Sequence, residues 1–165
     1  MLMWKDAVRF LRDRKVLLMG SPLHQWRKPI VGGSPLVRLD LELRLIDSIE
    51  KGGYNAIYKG HPDRKEELSG IFKNVELTNF EKLDLSAYDV IVFPHITTST
   101  FSPALCSQCP IIALDLDIHM CDDVALELLR KRVEILPTTR DDRNRILYNE
   151  DYFLDMLLLQ VGRYG

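Results

Sequence analysis

The sequence has few cysteines and no long apolar run, and both absences limit what the protein can be. Its 165 residues include three cysteines, too few for a disulfide scaffold, so we expect a reducing, cytoplasmic location. No apolar stretch approaches the ~18 residues that a membrane span needs, and the amino terminus has no uninterrupted signal-peptide core. We therefore expect no transmembrane span.

The sequence also lacks a large excess of positive or negative residues. The chain has 22 Lys and Arg against 24 Asp and Glu, a net charge of −2, and no stripe of basic and aromatic residues, so nucleic acid is not an expected partner. Neither Gly-x-Gly-x-x-Gly nor Gly-Lys-Ser/Thr occurs, which disfavours a standard dinucleotide site and a P-loop NTPase. The hydrophobic share of 46% is enough for the core of one globular domain.

What the chain does contain is an alternation of short apolar runs and helical patterns. Residues 36–51 fit both a strand alternation and a helix face, and their length favours a helix. Strands are predicted at 15–20, 55–59, 75–77, 89–94, 110–114 and 133–136, and helices at 36–51, 63–72, within 98–108, at 122–132 and from about 148 to 161. This order predicts an α/β fold, a doubly wound parallel sheet with helices on both faces.

The alternation predicts one α/β domain over residues 15–165, preceded by a short amino-terminal segment, 1–14. That segment carries Trp4, Val8 and Leu11 on one helical face, with basic residues between them. It fits a packing helix, a linker to another lobe or a basic membrane-surface helix, and the packing helix is the favoured interpretation. The surface helix would make the protein peripheral at the inner face of the membrane.

Ligands of this fold class bind at the carboxyl ends of the strands, so the candidate site residues are expected there. Tyr58-Lys59-Gly60-His61-Pro62 ends a predicted strand with an ammonium group and an imidazole, which can bind phosphate oxygens. Taken alone, the segment is more simply a turn with solvated side chains.

A second strand end carries five hydroxyl residues in six positions. Thr97, Thr98, Ser99 and Thr100 precede a predicted helix, with Pro103 in its first turn and Ser99 or Ser102 as its cap. Hydroxyls and free N–H groups at such a point suit an anion, and one cap would need only one hydroxyl. Phosphate binding is therefore favoured slightly over helix capping alone.

Together these residues resemble a family. Lys-x-His-Pro at a strand end, then Asp-Val-Ile-Val with a Thr/Ser pair and a helix before Pro-Ile-Ile, is similar to the carboxyl-terminal lobe of GT-B fold glycosyltransferases. The nearest group is that of bacterial polysialyltransferases, CDP-glycerol glycerophosphotransferases and capsule-polysaccharide enzymes. The resemblance covers roughly residues 15–137. It implies a three-layer, Rossmann-like donor-binding lobe in surface polysaccharide synthesis.

The resemblance also implies roles for single residues. His61 would contact the donor phosphate and be the catalytic residue, and Lys59 with the hydroxyls of Thr97, Thr98, Ser99 and Thr100 would bind the same phosphate. The substrate would be a nucleotide-sugar or a CDP-glycerol-like donor, linked to CMP, CDP or UDP, with no covalently bound cofactor. Because 165 residues suffice for one lobe only, the acceptor site is expected on a second lobe or partner chain.

Weaker candidates lie at other strand ends. Ser21, His95 and Asp115 are further candidates for the donor site. Cys106, Cys109, His119 and Cys121 have metal-ligating side chains, but their spacing is not a standard zinc pattern, so we expect buried structural thiols and no metal. Outside the enzyme class, the sequence also fits a non-catalytic module that binds a phosphorylated ligand or docks on a partner, or a complete flavodoxin-like phosphate-binding domain.

Overall fold

The structure, a computed structural model, describes residues 14–20, 34–60, 70–76 and 80–164. In these residues, six strands form one parallel sheet in the order β3-β2-β1-β4-β5-β6. The strands are β1 (Lys15–Met19), β2 (Asn55–Lys59), β3 (Val75–Glu76), β4 (Val90–Phe93), β5 (Ile111–Leu114) and β6 (Val133–Leu136). β4 and β5 are buried at every position, which explains why they read as continuous apolar runs.

Helices cover both faces of this sheet. They are α1 (Pro35–Lys51), α2 (Phe101–Leu105), α3 (Asp123–Arg132) and α4 (Glu150–Tyr164). Side chains of α1 and α4 share one hydrophobic cluster with the sheet, and those of α2 and α3 share the cluster on the other face. The predicted α/β architecture, a parallel sheet between two helical layers, is thereby confirmed.

The ambiguous stretch 36–51 is a helix because its ends and its buried face agree. Ser34 caps α1 by accepting a hydrogen bond from the N–H of Val37, and Pro35 takes the first helical position, where a missing N–H does no harm. Leu41, Leu45 and Ile49 are fully buried against the sheet. The helical period of this stripe, more than the alternating leucines, decides the conformation.

Other boundaries differ from the predictions. Residues 70–71 of the predicted helix 63–72 form a turn with Gly70 at φ +79°, residue 72 is not helical, and residues 63–69 lie outside the described part. An antiparallel hairpin of β7 (Thr138–Arg140) and β8 (Ile146–Tyr148) was not predicted, and α4 begins after it. Short 3₁₀ turns occupy Phe80–Lys82, Leu85–Ala87 and Asp115–Met120.

Charged and polar contacts fasten the unpredicted hairpin to α1. Asp40 accepts two hydrogen bonds from Arg145 and one from Arg44, and the Arg145 bonds chiefly hold the pKa of Asp40 below its usual value. Arg44 also donates to the carbonyl of Ile146 and lies over the ring of Tyr148, 5.5 Å from its centroid. The hairpin therefore depends on tertiary contacts with a helix about 100 residues earlier.

None of the helices in the described ranges combines the length and the apolar character that crossing a bilayer requires.

Candidate functional site

The sheet has a topological switch point between β1 and β4, where successive strands begin to add on the opposite side of β1. The chain adds strands outward from β1 to β2 and β3, then returns to the other side of β1 for β4, β5 and β6. At such a switch point the two connections leave in opposite directions, and a crevice opens at the carboxyl ends of the strands. The ends of β2 and β4 flank β1 and lie roughly 10 Å apart, two strand spacings.

Lys59 occupies the carboxyl end of β2, on one flank of this crevice. Its side chain is buried, with 5% of its surface exposed, and its Nζ donates to the carbonyl oxygen of Gly60 at 2.8 Å. A buried ammonium group is unfavourable unless hydrogen bonds or opposite charge compensate it. The Lys59 ammonium group is therefore held at the strand end by a hydrogen bond in a buried position.

The side chain of Tyr58 on β2 packs against Gly20, the residue that follows β1. The Gly20 N–H donates to the Lys59 carbonyl at 2.9 Å, and an added Cβ at Gly20 would overlap the Tyr58 hydroxyl. That hydroxyl donates to Oε2 of Glu42 on α1 at 2.7 Å, and both side chains are fully buried. Gly20 is thus required by close packing inside the protein, and Tyr58 with Glu42 fixes the point where the chain leaves the sheet.

The hydroxyl segment follows β4, on the other flank. Thr97 and Ser99 are exposed, whereas Thr98 and Thr100 are half-buried and their hydroxyls are 3.0 Å apart. Phe101, the first residue of α2, packs edge to face on Phe93 at 5.0 Å, which fixes the segment against the end of β4. The four hydroxyls therefore follow directly on the switch-point strand.

The predicted cap of the helix after this segment is wrong. The N-cap is Thr100, not Ser99 or Ser102; its backbone is helical, and its side chain makes no capping hydrogen bond. The N–H of Phe101 donates to the Thr98 carbonyl and that of Ala104 to the Thr100 carbonyl. Because α2 has only five residues, its end is a weak source of N–H groups, and any anion would depend chiefly on side-chain hydroxyls.

The other candidates divide into described and undescribed residues. His95, two residues beyond β4, is buried at 6% exposure beside the hydroxyl segment. Asp115, at the end of β5, accepts hydrogen bonds from both the N–H and the hydroxyl of Thr138, so it fastens the start of β7. Ser21 and His61 lie outside the described residues, and their assignment stays a prediction.

The cysteines do not gather into a site. Cys109 is buried and donates from Sγ to the Tyr88 carbonyl at 3.3 Å; burial raises its pKa to about 11, partly opposed by Arg132. Cys121 is half-buried. Cys106 is exposed, contrary to the expectation of buried thiols, because it follows the last residue of α2. Within the described ranges, no three His, Cys, Asp or Glu side chains are grouped closely enough to hold a metal ion.

Two buried charged residues near the switch point were not predicted. Arg38 and Glu42 lie in the first two turns of α1, at 9% and 1% exposure. The sequence did contain a signal, because both fall on the stripe that Leu41, Leu45 and Ile49 define as the buried face. Two charged residues within an apolar stripe indicate a buried polar cluster. Because residues 36–51 fitted both a strand and a helix, the buried face of the helix was not used to predict this cluster.

No family model matches the chain, and the curated proteins include none similar to it. The geometry of the carboxyl edge therefore carries the functional argument, together with the resemblance of the motifs.

Proposed function

We propose that this chain binds the phosphate of a nucleotide-activated donor at the carboxyl edge of its sheet, as the donor-binding lobe of a glycosyltransferase or glycerophosphotransferase. The observation that carries the proposal is the reversal of strand order between β1 and β4. Crevices at such reversals are where parallel α/β sheets bind nucleotides. Lys59 and the hydroxyls of residues 97–100 border this crevice on its two flanks, in support of a phosphate ligand.

The chemistry would be stabilisation of the leaving group. As the bond to the donor phosphate breaks, negative charge grows on that phosphate. Lys59 and the hydroxyls of Thr98 and Ser99 can stabilise this charge by hydrogen bonds. The resemblance adds His61 as a further contact to the phosphate, and an imidazole at that position can also donate a proton to the leaving group. The base that activates the acceptor hydroxyl would belong to the second lobe or partner chain.

Calorimetry of CMP, CDP and UDP binding tests the proposal. We expect the double variant Thr98→Ala/Ser99→Ala to bind the preferred nucleotide at least tenfold more weakly, because it loses hydrogen bonds to a charged group. Ser86→Ala is the matched control, since it removes a hydroxyl in the 3₁₀ turn before β4, at the opposite edge of the sheet. Equal affinities of the double variant and the wild type would contradict the proposed phosphate site.

A second comparison separates the donor lobe from a simple phosphate-binding module. A lobe that recognises an activated donor contacts base and ribose as well as phosphate, so we expect nucleotides to bind at least tenfold more tightly than inorganic phosphate. Similar affinities for UDP, CMP and inorganic phosphate would favour the non-catalytic module. His61→Ala is then measured against the preferred nucleotide, where a loss of affinity supports its assignment.

A further inference from the structure

Three charged side chains are buried in the described part of the chain, and all three lie near the switch point. They are Arg38 and Glu42 on α1 and Lys59 at the end of β2, at 9%, 1% and 5% exposure. Two of them are positive and one is negative, and the negative one, Glu42, accepts the Tyr58 hydroxyl at 2.7 Å. Arg38 is the only one of the three without a role in the phosphate site or in the contact of α1 with β2.

Arg38 lies beyond the end of β1, on the face of the sheet that α1 covers. A Cβ built on Gly20 would overlap the Tyr58 hydroxyl, so this hydroxyl and Glu42 mark the end of β1. Because α1 joins the parallel strands β1 and β2, it runs from the carboxyl edge of the sheet back toward the amino edge. Arg38 precedes Glu42 by four residues, so its position is about 6 Å farther out along the helix, at the carboxyl edge.

Lys59 reaches the same edge from the other face of the sheet. Successive side chains of a strand alternate between the two faces. Tyr58 belongs to the hydrophobic cluster that α1 and α4 cover, whereas Ile57 packs on the cluster of the opposite face, so Lys59 lies on the face of Ile57. The two cations therefore flank the carboxyl edge beside β1 from opposite faces, and the hydroxyls of residues 97–100 follow the neighbouring strand β4.

We propose that Arg38 is a specificity-determining residue of the donor site and selects donors that carry two phosphates over donors that carry one. The proposal rests on the phosphate site proposed above. One phosphate at Lys59 and the hydroxyl segment leaves the other to Arg38, whose planar guanidinium group binds two phosphate oxygens by paired hydrogen bonds. A guanidinium group keeps its charge when buried, and it attracts an anion most strongly where water is excluded. The donor is then linked to a nucleoside diphosphate, CDP or UDP, and not to CMP.

Competition calorimetry with inorganic pyrophosphate and phosphate, in the absence of divalent cations, tests this role. The wild type is expected to bind pyrophosphate at least tenfold more tightly than phosphate, because pyrophosphate occupies both phosphate positions. Arg38→Met removes one position, so this preference is expected to fall at least tenfold, and Arg38→Lys, which keeps the charge without the paired hydrogen bonds, should recover only part of it. Lys51→Met is the matched control, since Lys51 is an exposed cation at the opposite end of α1.

Loss of the pyrophosphate preference in Arg38→Met, with the preference of Lys51→Met unchanged, supports the assignment. The wild type should also bind CDP at least tenfold more tightly than CMP. Equal affinities of the wild type for CDP and CMP, or an unchanged preference in Arg38→Met, overturns the assignment but leaves the phosphate site, which the Thr98→Ala/Ser99→Ala variant tests separately.

Melting curves show whether Arg38→Met is folded. Should it fail to fold, Arg38→Lys and the wild-type comparison of CDP with CMP decide, and a full pyrophosphate preference in Arg38→Lys overturns the assignment of paired hydrogen bonds to Arg38. A wild type that binds none of these anions overturns both this assignment and the proposed function.

Discussion

The hydrogen bond from the Tyr58 hydroxyl to Glu42 joins β2 to α1 beneath the candidate crevice, and we expect Tyr58→Phe to lower the free energy of unfolding by about 2 kcal/mol. The bond is 2.7 Å long, and its two side chains are 0% and 1% exposed. Hydrogen bonds to charged groups contribute roughly 1.5–3 kcal/mol, and water cannot replace the lost donor at a buried carboxyl group. For a domain of this size, about 2 kcal/mol corresponds to a fall in Tm of roughly 4–8 °C.

Urea unfolding followed by circular dichroism measures the effect, with Tyr148→Phe as the comparison. The Tyr148 hydroxyl is 2.9 Å from the Ser48 hydroxyl and the residue is only half-buried, so its loss is expected to lower stability by about 1 kcal/mol. A change below about 0.5 kcal/mol in Tyr58→Phe, or one smaller than in Tyr148→Phe, would refute the reasoning. The slope of unfolding against urea should stay the same in both variants.

Three further predictions concern charges and thiols elsewhere in the chain. The pKa of Asp40 is lowered in the folded state, chiefly by Arg145, so its contribution to stability is present at neutral pH and is lost progressively as the pH falls below about 4. Asp40→Asn should therefore remove up to about 1 kcal/mol at pH 7 and less near pH 2, measured by urea unfolding at both values. Alkylation at pH 8 should label exposed Cys106 first and Cys109, whose pKa is about 11, only on unfolding; equal rates by mass spectrometry would contradict this. Arg132→Met should lower stability by about 2–3 kcal/mol, since Arg132 donates to three backbone carbonyls, one at the last residue of α2 and two beyond it, and Arg132→Lys should recover only part of the loss in the same unfolding assay.

The sheet and its helices could be predicted because burial on two faces imposes a simple pattern. A strand covered by helices on both sides must be apolar at every position, and Val90–Phe93 and Ile111–Leu114 are. The hairpin could not be predicted in this way. Its strands have three residues each, Thr139 and Arg140 are exposed, and no Asn-Gly or Asp-Gly turn marks the connection.

The placement of the candidate site residues at one edge of the sheet was predictable, but their local structure was not. Strand ends are visible in a sequence, so Lys59 and the hydroxyls after β4 could be assigned to one edge. The cap of α2 was misplaced because Ser99, Thr100 and Ser102 are all good capping residues, and their types do not say where so short a helix begins. Such a boundary depends on tertiary packing, here the contact of Phe101 with Phe93.

Charged side chains are more deeply buried toward the carboxyl edge of the sheet than at its amino edge, and this difference bears on the proposed function. At the amino edge, Asp89 accepts hydrogen bonds from the Arg14 side chain and the Lys15 N–H, both partly open to water, so the charges are compensated at little cost. Toward the carboxyl edge, Glu42 and Lys59 are almost fully buried. Glu42 accepts a hydrogen bond from Tyr58, so its burial joins α1 to β2 and is explained by the fold. Lys59 is the buried cation of the two, and in the proposed site it would act strongly on an anionic phosphate, because ions interact most strongly where water is excluded.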